Sequence, residues 1–276
     1  MAHTDSRRGC RPAARPRAAN LAGATDKPTQ TAGSTVARAT VRYAHGRMRP
    51  VDLDVLRRSP LFAGLDEQAT SDLLSSMTPL HMERSDILFH EGDPGDRLYV
   101  ITEGKVKLGR TSSDGRENLL AILGPGEMFG ELSLFDPGPR TATATAVAET
   151  QLVGLTTDAL HTYLVARPQV SFTLLAALAR RLRRTNESLA DLVFTDVPGR
   201  VAKALLELSQ RFGRPVEDGI LVGHDLTQEE LAQLVGASRE TVNKALADFA
   251  TRGWIKLEAR AVLLMNLERL HKRAGA

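Results

Sequence analysis

The chain has 276 residues, with 42% hydrophobic and 25% charged residues, which suits a soluble protein of two ordinary domains. The net charge of +3 conceals an asymmetry, because residues 1–49 hold ten Lys or Arg against two acids. The remainder is mildly acidic, so the overall charge does not predict nucleic-acid binding. Cys10 is the single cysteine, which excludes disulfide, cysteine–zinc and iron–sulfur frameworks within one chain. No apolar run approaches the ~18 residues of a membrane span, and we expect a cytoplasmic protein.

Residues 1–49 are rich in Ala, Arg, Thr, Gly and Pro and lack apolar periodicity. Such a segment cannot bury enough surface to offset its ordering entropy, so we expect a disordered basic extension. Two alternatives are an organelle transit peptide and a basic arm that touches DNA or RNA. Met48 is an alternative translation start.

Residues 50–166 are predicted to form an all-β domain after two short helices over 54–58 and 66–77, the second capped by Asp66. Short β-prone runs recur at intervals of ~10 residues between Gly, Asp and Pro turns, which is typical of a sandwich or barrel. The predicted strands cover residues 87–89, 98–101, 106–108, 119–122 and 146–155.

Residues 167–195 are predicted to form a dimerisation helix and hinge. Apolar residues at alternating spacings of three and four indicate a coiled-coil seam, for which a parallel homodimer through residues 168–194 is the simplest solution. The alternative is a helix packed against its own barrel. Thr185 interrupts the seam, so it either fixes register or meets a ligand, and the adjacent Asn186 could join it at a purine edge. The seam residues are Leu175, Leu178, Leu182, Thr185, Leu189 and Leu192.

Residues 126–141 concentrate the polar groups that a cyclic nucleotide needs. The segment holds a carboxylate at Glu131, a guanidinium at Arg140, hydroxyls at Ser133 and Thr141, and several glycines. A guanidinium and backbone N–H groups neutralise a phosphate, and a carboxylate accepts a hydrogen bond from a ribose hydroxyl. We therefore predict a site for a ligand with a cyclic phosphate and a free sugar hydroxyl.

Residues 196–276 are predicted to form a DNA-binding domain. Asp196 can cap a helix that continues through residues 201–212, and residues 213–223 are expected to be a loop. Thr227 and Glu230 then form the capping box of a new helix. Gly236 ends that helix sharply and Ser238 caps the next.

The second of these helices has the pattern of a DNA-recognition helix. Its apolar face packs inward, and its first turn carries side chains that can read base edges in the major groove. The expected reading residues are Arg239, Glu240, Asn243 and Lys244, and the expected phosphate contacts are Thr227, Gln228 and Ser238. Two short apolar runs at 254–257 and 261–264 predict a two-stranded wing.

These motifs together resemble the Crp/Fnr (catabolite activator) family of transcription regulators, especially the cyclic-AMP receptor proteins of GC-rich bacteria. The resemblance implies an α+β chain with a cyclic-nucleotide-binding β-roll (jelly roll), a long dimerisation helix and a C-terminal winged helix-turn-helix. It also implies cyclic AMP as ligand, double-stranded DNA with TGTGA-like half-sites, and RNA polymerase as a partner. The implied cyclic-AMP residues are Gly130, Glu131, Leu132, Ser133, Arg140, Thr141, Thr185 and Asn186. The implied DNA residues are Thr227, Gln228, Ser238, Arg239, Glu240, Thr241, Asn243 and Lys244.

The chain departs from the best-known member of that family at two places. Lys244 stands where that member has Arg, which removes bidentate geometry. The predicted loop at 213–223 does not match the polymerase-contacting loop. A single cysteine is too few for the iron–sulfur branch, and His81 or His90 alone is a weak basis for haem sensing.

Two other functions compete with a cyclic-AMP sensor. The first is a regulator of the same architecture that binds DNA constitutively or answers another signal. The second is a metal-dependent jelly-roll oxygenase, which needs clustered His and carboxylate ligands. We expect no enzyme activity, cofactor or metal, because the histidines in the predicted domains are scattered. They are His81, His90, His161, His224 and His271.

Overall fold

A computed structural model of the chain describes residues 53–112, 115 and 117–275. The basic extension expected over residues 1–49 lies outside the described residues. The described part contains a β-roll, a long helix and a C-terminal domain of helices and a small sheet.

The roll consists of two four-stranded antiparallel sheets with the orders β1-β8-β3-β6 and β2-β7-β4-β5. An apolar cluster fills the space between the two sheets, and a second cluster lies between the first sheet and the helices. The central strand β3 is therefore apolar on both faces. The strands are β1 (Thr78–Met82), β2 (Ile87–Phe89), β3 (Arg97–Glu103), β4 (Val106–Thr111), β5 (Glu117–Leu123), β6 (Met128–Phe129), β7 (Thr143–Ala146) and β8 (Thr150–Thr156).

The strands predicted at 87–89, 98–101, 106–108 and 119–122 are confirmed. The prediction of one strand over 146–155 is wrong, because β7 ends at Ala146 and β8 begins at Thr150 in the opposite sheet. The buried Thr150 stabilises this change of sheet by donating its hydroxyl to the carbonyls of Ala148, at 2.8 Å, and Lys105, at 3.0 Å.

Helices flank the roll at both of its chain ends. Asp66 caps α2 as predicted, accepting the amide of Ala69 at 2.7 Å. Val170 and Leu174 in the first turns of α5 are buried, whereas most of its later residues face solvent. The helices are α1 (Leu53–Arg57), α2 (Glu67–Ser75), α3 (Leu132–Phe135), α4 (Thr157–Ala166) and α5 (Pro168–Phe194).

The C-terminal domain packs four helices on a four-stranded sheet with the order β11-β12-β10-β9. Asp196 caps α6 by accepting the amide of Gly199 at 3.0 Å, as predicted. The expected wing is confirmed as an antiparallel pair. The elements are α6 (Val197–Phe212), β9 (Gly213–Val216), β10 (Gly219–Gly223), α7 (Gln228–Val235), α8 (Arg239–Thr251), β11 (Ile255–Leu257), β12 (Ala261–Leu264) and α9 (Leu267–Ala274).

The prediction of a loop over residues 213–223 is wrong, because this segment is the β9–β10 hairpin. Strand β10 pairs with β12 of the wing, and Val222 is fully buried. The Gly and Pro residues of this segment suggested a loop, because the sequence pattern does not show that β10 is stabilised by pairing with the distant strand β12. No helix in the described part of the chain is long and apolar enough to cross a membrane.

We predict that Leu98→Ala destabilises the roll by about 2–5 kcal/mol, because Leu98 is 0% exposed between the first sheet and the helices. Leu120→Ala is the matched control on a strand of the other sheet, where Leu120 is 51% exposed, and it should change stability by no more than about 0.5 kcal/mol. Urea unfolding measures both, and equal losses would contradict the packing described above.

Candidate functional site

Arg140 is enclosed in the roll beside strand β6. Arg140 is only 4% exposed, although its side chain carries a guanidinium. Nη1 donates to the carbonyl of Gly130 and Nη2 to that of Arg97, each at 2.8 Å. Two backbone carbonyls therefore fix the plane of the guanidinium.

Aromatic rings and acids surround the same cation. Its Cζ lies 4.3 Å from the centroid of the Phe89 ring and 5.8 Å from that of Tyr99, so the ring faces attract it. Burial lowers the pKa of Arg140 below its usual value. The nearby Tyr99, Asp96 and Glu131 act in the opposite direction but do not outweigh burial. An arginine keeps its charge under such conditions, so the pocket contains a permanent positive charge.

Gly130 is required where the chain passes this guanidinium. Its φ of +78° lies in the left-handed region, and a Cβ there would stand 2.7 Å from Nη1 of Arg140. Both the backbone angle and the close approach exclude a side chain. The Gly-Glu step after β6 thus delivers the next residue, Glu131, into the pocket.

Glu131 is the acidic partner in the pocket and is 1% exposed. Its Oε1 accepts a hydrogen bond from Nη1 of Arg181 on α5 at 2.7 Å. Its Oε2 and the Nε of Arg140 are buried and have no hydrogen-bond partner among the described residues. Buried polar groups are almost always paired, so one free acceptor and one free donor mark a place for a polar ligand.

The other predicted nucleotide residues differ in their exposure. Ser133 is buried on α3, whereas Leu132 and Thr141 are exposed. Thr185 and Asn186 are exposed on α5, where the hydroxyl of Thr185 donates to the carbonyl of Arg181 at 3.1 Å.

Arg181 is the pocket residue that the sequence reasoning missed. A signal existed, because Arg181 precedes Thr185 by four residues and so lies on the same helix face. Within the described residues, no group of three or more His, Cys, Asp or Glu is arranged to hold a metal ion. The arrangement suits an anion with a hydroxyl group.

The second candidate site is the helix-turn-helix of α7 and α8. The predicted capping box is present, since the amide of Glu230 donates to Oγ1 of Thr227 at 3.1 Å and the amide of Thr227 donates to Oε2 of Glu230 at 2.8 Å. Gly236 ends α7 with a φ of +69°, and Ser238 accepts the amide of Thr241 at 3.3 Å. These caps fix the start of both helices.

The two helix starts present most of the predicted DNA residues to solvent. Asn243 differs, because it is half-buried and its Oδ1 is enclosed without a partner in the described part of the chain. Its role as a reading residue stays a prediction. The exposed residues are Thr227, Gln228, Ser238, Arg239, Glu240, Thr241 and Lys244.

Family models match both halves of the chain. The cyclic nucleotide-binding domain matches residues 79–166, which span the roll and its pocket. The Crp-like helix-turn-helix domain matches residues 199–273, which span the reading helices and the wing.

Known proteins share this arrangement over most of their length. The chain is 58% identical to the CRP-like cAMP-activated global transcriptional regulator of Mycobacterium tuberculosis, over 80% of this chain and 99% of the relative. It is 39% identical to the cyclic AMP receptor protein of Thermus thermophilus, over 73% and 90%. The solved structure of FixK2 from Bradyrhizobium japonicum aligns with a TM-score of 0.65 at 26% identity, over 72% of this chain and 98% of that one. With a nucleotide-binding roll followed by a Crp-like reading domain, the chain belongs to the Crp/Fnr family of transcription regulators, which are not enzymes.

Proposed function

We propose that the protein is a homodimeric transcription regulator that responds to cyclic AMP and binds a two-fold symmetric DNA site with TGTGA-like half-sites. The observation that carries the nucleotide part is the pair of buried, unpartnered groups in the pocket, the Nε of Arg140 and the Oε2 of Glu131. One is a donor on a cation and the other is an acceptor on an anion.

Cyclic AMP offers a complement to both groups. Its phosphate would accept from the Arg140 guanidinium, and its ribose 2′-hydroxyl would donate to Glu131, while Ser133 and Thr141 support the phosphate. The relatives in Mycobacterium tuberculosis and Thermus thermophilus carry cyclic AMP in their names. Their similarity over most of the chain supports the same ligand here.

An apolar stripe along α5 supports the homodimer. Four leucines of the seam are exposed by half or more on the single chain, which is unfavourable for a soluble helix. The alternating three- and four-residue spacing suits a second copy of the same helix. In such a dimer Thr185 and Asn186 would approach the adenine from the two helices. These leucines are Leu175, Leu182, Leu189 and Leu192.

The reading helices of such a dimer would enter successive major grooves about one helical turn apart. Cyclic AMP would favour the state in which that spacing fits, and a coupling of about 1–3 kcal/mol gives a 5–150-fold change in DNA affinity. The bound regulator would activate or repress promoters, with RNA polymerase as its further partner.

The competing function is a regulator of this family that binds DNA constitutively or answers a different signal. Calorimetry with cyclic AMP, followed by DNA titrations with and without it at two salt concentrations, separates the two. The sensor hypothesis requires measurable heat and a rise in DNA affinity. Absence of both supports the competitor.

We predict that Arg140→Leu weakens cyclic-AMP binding by about 10- to 150-fold, since a hydrogen bond to a charged group contributes about 1.5–3 kcal/mol. Calorimetry measures the change. Arg214→Leu is the control, because Arg214 is exposed on β9 in the other domain. Wild-type affinity in a folded Arg140→Leu protein would show that the phosphate is held elsewhere.

We predict that Leu182→Arg converts the dimer to a monomer, because it places a cation in the apolar stripe. Leu120→Arg tests whether any added cation has this effect, since Leu120 is similarly exposed but lies on β5. Sedimentation velocity distinguishes the two species. A Leu182→Arg protein that stays dimeric would locate the interface outside the stripe.

We predict that Arg239→Ala lowers affinity for the specific site by about 1–3 kcal/mol and relaxes selectivity at one base pair per half-site. Arg252→Ala removes an arginine from the opposite end of α8, where Arg252 pairs with Asp248, and should leave selectivity unchanged. Binding to a set of singly substituted duplexes measures both variants. If the selectivity of the Arg239→Ala variant is unaltered, Arg239 does not read a base.

A further inference from the structure

The roll and the C-terminal domain touch along a surface that is separate from the nucleotide pocket and reaches the start of the helix-turn-helix. Leu119, Ile122 and Val147 of the roll belong to the buried apolar cluster of the C-terminal domain. The ring of Phe212 at the end of α6 packs so closely on the roll that a Cβ at Gly124 would stand 2.5 Å from its Cε1. This apolar contact excludes water from the centre of the surface.

Charged groups of opposite sign line the edge of that contact. Nζ of Lys107 on β4 lies 2.5 Å from Oε1 of Glu230 on α7, and the two side chains are only 23% and 16% exposed. Lys105 pairs in the same way with the carboxylate of Asp225. Arg84 donates from Nη2 to the carbonyl of Asp225 at 2.8 Å. Three cations of the roll therefore face two acids of the DNA-binding domain.

Glu230 connects this surface directly to the start of the helix-turn-helix. Its Oε1 meets Lys107 while its Oε2 accepts from the amide and the hydroxyl of Thr227. Burial acts to raise the pKa of Glu230, but the hydrogen bonds from Lys107 and Thr227 outweigh it and lower the pKa. The acid is therefore ionised at neutral pH and holds both partners.

Asp225 adopts a backbone conformation that needs support. Its φ is +61°, in the left-handed region that favours glycine and is tolerated best by Asn and Asp. Lys105 at its carboxylate and Arg84 at its carbonyl both come from the roll. Asp225 therefore adopts this unfavourable backbone conformation at the contact between the two domains.

The proposed base-reading side chains stay accessible while these contacts are made. Arg239, Glu240 and Lys244 remain exposed while the domains are in contact. The chain itself joins α5 to α6 only through an extended step at Thr195 and Asp196. The charged contact is a further restraint on the orientation of the domain, alongside the ion pairs of Lys203 with Asp191 on α5 and of Arg211 with Glu127 of the roll.

We propose that Lys105 and Lys107 are positioning residues for DNA recognition, which hold Asp225 and Glu230 so that the helix-turn-helix keeps one orientation on the roll. We name these four residues the clamp. The clamp acts through the orientation of the reading helix and touches neither the DNA bases nor the nucleotide pocket.

The clamp matters most when two reading helices must engage one duplex, which rests on the proposed homodimer. A domain that swings freely about its hinge loses orientational freedom on binding, whereas a pre-oriented domain does not. Loss of the clamp should therefore weaken binding to two inverted half-sites more than binding to one half-site. A defect inside the helix-turn-helix would also weaken binding to the single half-site, by about half of the free energy lost at two half-sites.

The experiment compares the double variant Lys105→Gln/Lys107→Gln with Asp225→Asn by fluorescence anisotropy on duplexes that carry two or one TGTGA half-sites. Asparagine tolerates the backbone of Asp225, so this variant removes the charge alone. Asp218→Asn, in the exposed β9–β10 turn, is the matched control. Thermal unfolding verifies that each variant is folded.

The clamp predicts that both variants lose about tenfold in affinity for the two-half-site duplex and bind the single half-site as tightly as the wild type, while Asp218→Asn loses nothing on either duplex. If the lysines act on DNA phosphates instead, Asp225→Asn should bind DNA as tightly as the wild type or more tightly, which overturns the proposal. A higher DNA affinity in both variants would also overturn the proposal, because the contact between the domains would then oppose DNA binding.

Cyclic-AMP calorimetry on the same variants keeps this test separate from that of the nucleotide sensor. The clamp lies outside the pocket, so both variants should still bind cyclic AMP with measurable heat. A wild type without any response to cyclic AMP would refute the sensor and leave the comparison of DNA affinities valid. Loss of cyclic-AMP binding in a folded clamp variant would contradict a role confined to domain orientation.

Discussion

A guanidinium cation enclosed in a protein is unfavourable unless acceptors and anions surround it, and this constraint organises the pocket around Arg140. Two backbone carbonyls, two aromatic rings and a neighbouring acid stabilise the charge. They leave one donor, Nε, without a partner among the described residues. Gly130 is needed for the chain to pass so close, and its left-handed turn directs Glu131 inward. These contacts hold the guanidinium in one position, which would lower the ordering that binding of the proposed ligand requires.

The same pocket is in direct contact with the helix that carries the apolar stripe. Arg181 on α5 donates to the buried carboxylate of Glu131, so a ligand hydroxyl at Glu131 would share that carboxylate with the helix. The helix ends at Phe194, and two residues later Asp196 caps the first helix of the DNA-binding domain. The pocket residue Arg181 and the hinge at Thr195 and Asp196 are therefore joined by one continuous helix, α5. The clamp offers a separate restraint, which acts on the orientation of the reading helices and not on the pocket.

Local rules predicted much of this structure from the sequence. The caps at Asp66, Asp196, Thr227 and Ser238 follow from short-range hydrogen bonds, and each is present. The errors arose where a distant partner decides the structure. The β9–β10 hairpin depends on pairing with β12, and the break before β8 depends on which sheet receives the strand. The pairs that join the roll to the DNA-binding domain link residues more than 100 positions apart, so no pattern within a window of the chain reveals them.

The central claim is that Arg140 holds a cyclic phosphate while Glu131 accepts a hydrogen bond from the sugar. Calorimetric titration of the unmodified protein with three ligands, cyclic AMP, 2′-deoxy cyclic AMP and adenosine, tests this from the side of the ligand. We predict that removal of the 2′-hydroxyl weakens binding by about tenfold and that loss of the phosphate weakens it more, since the phosphate contact is ionic. Equal affinities for the three ligands would contradict the account, because neither residue would then hold the group assigned to it.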